Sequence, residues 1–177
     1  MLLNRPPNWP ALALLVSLGV IGALGLACGG SSSWIGRQAP GVESSLWLNT
    51  DPLRWESLRG RVVLVEFWTF ACGNCRNVEP FVKRWHDAYA ARGLSVVSVH
   101  SPEFPFEADE KNLRSYLKEN AIAYPVAVDN DFAIWKRWEN RYWPALYLVD
   151  REGIVRHVQI GESGTDATEE AIRRLLD

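Results

Sequence analysis

Cys72-Gly73-Asn74-Cys75 sets two thiols three positions apart, a spacing that admits a metal site, a small structural loop or an exchangeable disulfide. Tetrahedral zinc needs four ligands, and His86, His100 and His157 stand apart from one another with no ligand spacing. No metal is expected. A permanent staple is disfavoured because so short a closed loop removes little chain entropy and adds little stability. Redox exchange has a positive argument. An apolar run ends just before Cys72 and a helical pattern begins after it, which places Cys72 at the first turn of a helix. Unpaired N–H groups and the helix dipole favour a thiolate there. Cys72 is then the nucleophile. Cys75, one turn further on the same side and less exposed, is the resolving thiol. This chemistry needs no cofactor.

The elements that must hold the pair are legible from periodicity. Arg61 to Phe67, RVVLVEF, is β-branched and almost wholly apolar, as a strand covered on both faces should be. Gly73 to Ala91 reads as a helix through Val78, Phe81, Val82, Trp85 and Tyr89, with Gly93 as its stop. Further strands are expected at Trp47 to Asn49, Ser95 to His100, Pro125 to Val128, Ala145 to Val149 and Ile154 to Ile160, the last two joined by a turn at Asp150-Arg151-Glu152-Gly153. Helices are expected at Asp109 to Asn120, Phe132 to Trp138 and from a cap at Thr165 or Asp166 to Leu176. Strands alternating with helices, then a hairpin and a helix, imply an α/β/α sandwich around a mixed sheet.

The first 28 residues read as a leader. Arg5 and the chain amine precede 17 uncharged small or apolar positions, 11 to 27, and the first acid is Glu43. Gly25-Leu26-Ala27-Cys28 resembles a bacterial lipoprotein cleavage box, although Gly25 stands where such boxes usually carry leucine. Lipidation of Cys28, an uncleaved anchor and ordinary cleavage all imply an exported domain, the first two holding it at a membrane. Residues 29–45, rich in Gly and Ser, read as a flexible linker and 46–177 as the folded domain. With 19 basic against 21 acidic residues and a formal charge of -2, the chain has no electrostatic footprint for nucleic acid. A hydrophobic fraction of 47% in 177 residues suits one core, expected to act as a monomer.

Val63 to Cys75, VLVEFWTFACGNC, resembles the active-site segment of the thioredoxin superfamily, in which a strand, an acid, an aromatic pair and C-x-x-C recur in this order. WLNTDPL at 47–53, LRGRVVLVEFWTF at 58–70, VHSPEF at 99–104 and NRYWPALYLVD at 140–150 are similar to the TlpA-like, redoxin branch of membrane-tethered thiol-disulfide oxidoreductases, especially the soluble domain of DipZ-type proteins. The resemblance implies a thioredoxin-like sandwich with an inserted helix and strand between 109 and 128. It implies that Pro144 is the family's cis-proline, whose backbone meets a bound peptide, and that Glu66, six residues before Cys72, is the buried acid that relays a proton for the second cysteine. An acid under valines and leucines should have a raised pKa. Trp68 and Trp143 are expected to flank the cysteines as an apolar docking surface for clients, with Phe104 at its lip. The implied function is disulfide exchange with protein thiols outside the cytoplasm, recharged by a membrane thiol carrier, in cytochrome c maturation or envelope thiol control. Two alternatives stand beside it. Thr69-x-x-Cys72 matches part of a peroxiredoxin site, although Val65 occupies the position of that motif's proline. The same groove would also serve a non-catalytic peptide-binding module.

Overall fold

The computed structural model describes residues 34–177; the leader and Cys28 lie outside the described residues. Ten elements follow in chain order: β1 (Trp47–Leu48), β2 (Val62–Trp68), α1 (Gly73–Tyr89), β3 (Leu94–His100), α2 (Glu110–Glu119), β4 (Val126–Val128), α3 (Ala133–Arg137), β5 (Ala145–Val149), β6 (Val155–Ile160) and α4 (Thr165–Leu176). They match the expected elements with ends shifted by one or two residues. The helix expected to reach Ala91 ends at Tyr89, its last residues tightening into a 3₁₀ turn before Gly93 at φ 109°. The cap expected from Thr165 or Asp166 is absent. Gly164 precedes α4 at φ 100° with no side-chain cap, because a left-handed turn leads into the helix there.

The six strands form one sheet in the order β1-β4-β3-β2-β5-β6. β2 runs parallel to β3, and β3 to β4, while β5 and β6 return antiparallel. β2 is buried at every position because the sheet is covered on both faces. Its alternation divides the core. Val62, Leu64 and Trp68 pack under α1, α2 and α4 with Val78, Val82, Trp85, Leu117 and Ile172, while Val63, Val65 and Phe67 pack on the opposite side with Ile134, Trp138 and Tyr147. Glu66 shares the register of Leu64 and Trp68, beneath α1.

The linker expected over 29–45 is corrected from Trp34 onward. Trp34, Ala39 and Val42 are buried in the second core. The segment also pairs with the outer edge at β6, through Gly36 N–H to Val155 O, Val155 N–H to Arg37 O and Ala39 N–H to Gly153 O. Trp138 donates its indole N–H to Gly41 O at 2.8 Å. Three apolar anchors override a Gly/Ser-rich composition here, and they cover an edge strand that would otherwise be open to pairing.

α4 is fixed to α1 through one carboxylate. Glu169 accepts from Trp85 Nε1 at 3.1 Å, Tyr89 OH at 2.9 Å, Arg84 at 2.8 Å and Arg173 at 2.7 Å. Burial would raise its pKa, but these four donors outweigh it and hold the acid down at about 2. Glu169→Ala leaves the buried Trp85 N–H unpaired and is expected to cost about 2 kcal/mol at neutral pH in urea unfolding. A depressed folded pKa stabilises above the unfolded value of 4.5 and is lost as pH falls toward 2. The difference between wild type and variant is therefore expected to shrink over that interval.

Candidate active site

The chain leaves β2 at Trp68, crosses Thr69-Phe70-Ala71 and enters α1 with Cys72 as the N-cap residue. The Cys72 sulfur accepts the Cys75 N–H at 3.2 Å, so it occupies the place where first-turn amides have no helical partner. Both cysteines are free thiols; Cys72 is half-exposed and Cys75 is buried at 2% exposure. Burial, followed by the hydrogen bond to Cys72, pushes the Cys75 thiol well above its ordinary range; the Thr69 backbone pulls the other way and the charges of Cys72 and Glu66 add to the rise. An accessible sulfur at a helix tip and a protonated sulfur one turn behind it are the arrangement that sequential disulfide exchange requires.

Pro144 follows a cis Trp143–Pro144 peptide at the head of β5. β5 pairs with β2 at Phe67↔Ala145, which sets Pro144 beside the end of β2 where the cysteine loop begins. Its carbonyl already accepts Gly161 N–H at 2.8 Å. The main chain of Trp143, just before it, has no backbone partner among the described residues.

Glu66 is 2% exposed, and its only side-chain partner among the described residues is the Ser98 hydroxyl, which donates at 3.3 Å. Burial raises it from 4.5 to about 8, with the Ser98 bond opposing and the charge of Glu79 adding. Glu79, on the buried side of α1, accepts Tyr116 OH at 2.7 Å and Lys83 Nζ at 3.0 Å. Two carboxyls thus lie beneath the cysteine end of α1, one isolated and one paired, and sequence reasoning found only the first.

The other acid it missed is Glu107. Buried at 1% exposure in the turn before α2, it accepts four hydrogen bonds. One oxygen takes the Thr69 hydroxyl, at short range, and Ala71 N–H at 2.7 Å; the other takes Glu103 N–H and Phe104 N–H, each at 2.8 Å. A signal was present: Pro105 at the first helical position and Glu107 two residues later is the pattern in which an acid reaches back to cap its own turn. His100, buried beside it, lies 3.3 Å from Thr69 Oγ1 through Nε2. Because that hydroxyl donates to Glu107, Nε2–H is the donor to Thr69, which leaves Nδ1 buried without a partner among the described residues. Burial pushes His100 down to about 4 against the pull of Glu107, so the ring is neutral at physiological pH.

The aromatic residues divide. Trp68 is 3% exposed and packs on His100 and Tyr116, so the docking surface expected from it is corrected: strand alternation turns residue 68 into the core under α1. Trp143 is half-buried against Trp135 with centroids 4.3 Å apart, and its indole N–H donates to Ser101 O at 3.0 Å. Phe104 and Phe106 are exposed at 47% and 51%, lie parallel with centroids 5.9 Å apart, and meet the cysteine loop through the Phe70–Phe106 edge contact at 5.8 Å.

The family model described as Redoxin matches residues 35–176. The chain is 45% identical over 134 residues to Protein DipZ of Mycobacterium tuberculosis, a match that covers 74% of this chain and 19% of that protein, so it spans about a fifth of that relative's length. It is 34% identical over 130 residues to the thiol-disulfide oxidoreductase YkuV of Bacillus subtilis, covering 73% of this chain and 87% of YkuV. The solution structure of a thioredoxin-like protein in its oxidised form matches with a TM-score of 0.71 at 32% identity, over 79% of this chain and 95% of that one.

Proposed function

Because the chain belongs to the redoxin family of thioredoxin-like thiol-disulfide oxidoreductases, we propose that it exchanges disulfides with protein clients through Cys72 and Cys75. The observation that carries this reading is the half-exposed Cys72 sulfur at the N-cap of α1 with the buried Cys75 thiol one turn behind it. The Cys72 thiolate attacks one sulfur of a client disulfide. A Cys72–client bond forms, the client S–S bond breaks, and the departing client sulfur takes up a proton. Cys75 then gives up its proton and attacks the Cys72 sulfur, which releases the second client thiol and leaves a Cys72–Cys75 disulfide. The client gains two electrons and the pair loses two; the reverse sequence oxidises a dithiol client. Glu66 exchanges the Cys75 proton in this scheme. The Trp143 main chain and the Phe104–Phe106 rim receive the client backbone and its apolar side chains.

The leader and the resemblance to the DipZ soluble domain support an exported, membrane-tethered protein recharged by a membrane thiol carrier, acting in cytochrome c maturation or envelope thiol control. Against the peroxidase alternative, the Thr69 hydroxyl that such a site would turn toward the sulfur donates to Glu107 instead.

Equilibration of the purified protein in glutathione redox buffers tests the reading. Both thiols are expected to disappear together as a two-electron couple, with a tenfold change in the redox ratio for each ~30 mV. Oxidation of a single thiol, or a pair that stays reduced at every buffer potential, overturns it. The midpoint assigns the direction of electron flow, since known members of the superfamily lie between roughly -270 and -120 mV.

A further inference from the structure

We propose that Glu107 is a positioning residue that sets the client-binding rim relative to the Cys72 sulfur, so that discrimination in favour of polypeptide disulfides depends on it; this rests on the disulfide-exchange reading above. Among the described residues the carboxylate supplies the side-chain hydrogen bonds that join two loops, which otherwise touch through the Phe70–Phe106 ring contact. Oε1 holds Thr69 and Ala71, the latter adjacent to Cys72, and Oε2 holds the main chain of Glu103 and Phe104, which carries the exposed phenylalanine pair. All four partners are donors. An acid can satisfy all of them with two oxygens, whereas an amide would set its NH₂ against one of the two donor pairs and leave buried groups unmatched. The far end of the same loop is pinned separately. Ser101 O accepts the Trp143 indole N–H at 3.0 Å and the Ser101 hydroxyl donates to Asp129 at 2.9 Å. Phe106 O is held from α2 by Asn112 Nδ2 at 2.9 Å, so loss of the Glu107 bridge uncouples this loop from the cysteine loop, Glu103 and Phe104 first, while Ser101, Trp143 and Pro144 stay.

A large client touches the rim and the sulfur together, whereas a small disulfide touches only the sulfur. Glu107→Gln is therefore expected to lower kcat/KM for reduction of insulin, a polypeptide disulfide, at least about tenfold further than for hydroxyethyl disulfide, mainly through KM. Phe106→Ala, at an exposed position whose truncation leaves the core intact, is expected to show the same selective loss. Adding it to Glu107→Gln is expected to cost little more than the first change alone, since both act through one rim. Circular dichroism and thermal unfolding establish that each variant is folded at the assay temperature. Equal losses on the two substrates, no loss on either, or fully additive effects would each overturn the proposal. A wild-type protein that reduces neither substrate would instead remove the exchange reading on which the proposal stands.

Discussion

Cys72→Ser is expected to reduce disulfide exchange to background, a loss of at least about a thousandfold in kcat/KM, because the variant has no sulfur at the helix tip to form the mixed disulfide. Cys75→Ser is expected to behave differently. Its Cys72 still attacks, but the intermediate lacks the neighbouring thiol that resolves it, so client proteins accumulate as covalent adducts. Those adducts should run as higher-mass species on non-reducing gels and collapse on adding dithiothreitol. The asymmetry follows from exposure, since Cys72 is half-exposed and Cys75 is 2% exposed. Iodoacetamide is accordingly expected to label Cys72 first in the reduced wild type. Adducts formed equally by both single variants, or turnover that survives Cys72→Ser, would reverse the assignment of roles or remove it.

Much of this site is written in local pattern. The uninterrupted run Val62–Phe67 announces a strand buried on both faces, and a strand that ends just before C-x-x-C leaves the first cysteine at a helix start, which is where Cys72 lies. Glu66 is legible for a related reason: an acid inside such a run must be buried, and the raised pKa follows from burial. The parts that escaped depend on contacts between distant segments. Glu107 sits in an exposed-looking stretch, with Phe104 and Phe106 in solvent, yet it is buried and bonded to Thr69 and Ala71 of another loop. Trp68 looked like a surface aromatic because of its closeness to the cysteines in sequence, but strand alternation decided its face. The packing of residues 34–45 was hidden because Trp34 and Val42 have no period of their own. They are anchors placed by the outer edge of a sheet that is complete only after residue 160. Period and adjacency predict what one element does; a carboxylate that joins two loops, or a tail that covers an edge, is decided by topology.

Glu66 offers the sharpest test of the chemistry behind the cysteines, because its proton is tied to stability as well as to rate. Its folded pKa of about 8 lies above the unfolded value of 4.5. Between those limits the folded protein keeps a proton that the unfolded chain has released, so this group makes stability fall as pH rises, by ~1.4 kcal/mol per unit. By neutral pH the loss amounts to roughly 3 kcal/mol. Glu66→Gln keeps the shape and an acceptor for the Ser98 hydroxyl but cannot ionise. The variant is therefore expected to resemble wild type in urea unfolding at pH 4.5 and to exceed it progressively toward pH 8, the reverse of what loss of a salt-bridged acid would do. Catalysis should move in the opposite direction. Without a group to take the Cys75 proton, release of a client from the Cys72 mixed disulfide is expected to slow about 10² -fold, and its pH dependence near 8 to flatten, while the initial attack by Cys72 is little changed. Rapid-quench measurement of the two steps separates them. Stability curves for variant and wild type that run parallel from pH 4.5 to 8 would mean that the carboxyl is already ionised in the folded protein, and a proton acceptor poised near pH 8 behind Cys75 would then be untenable.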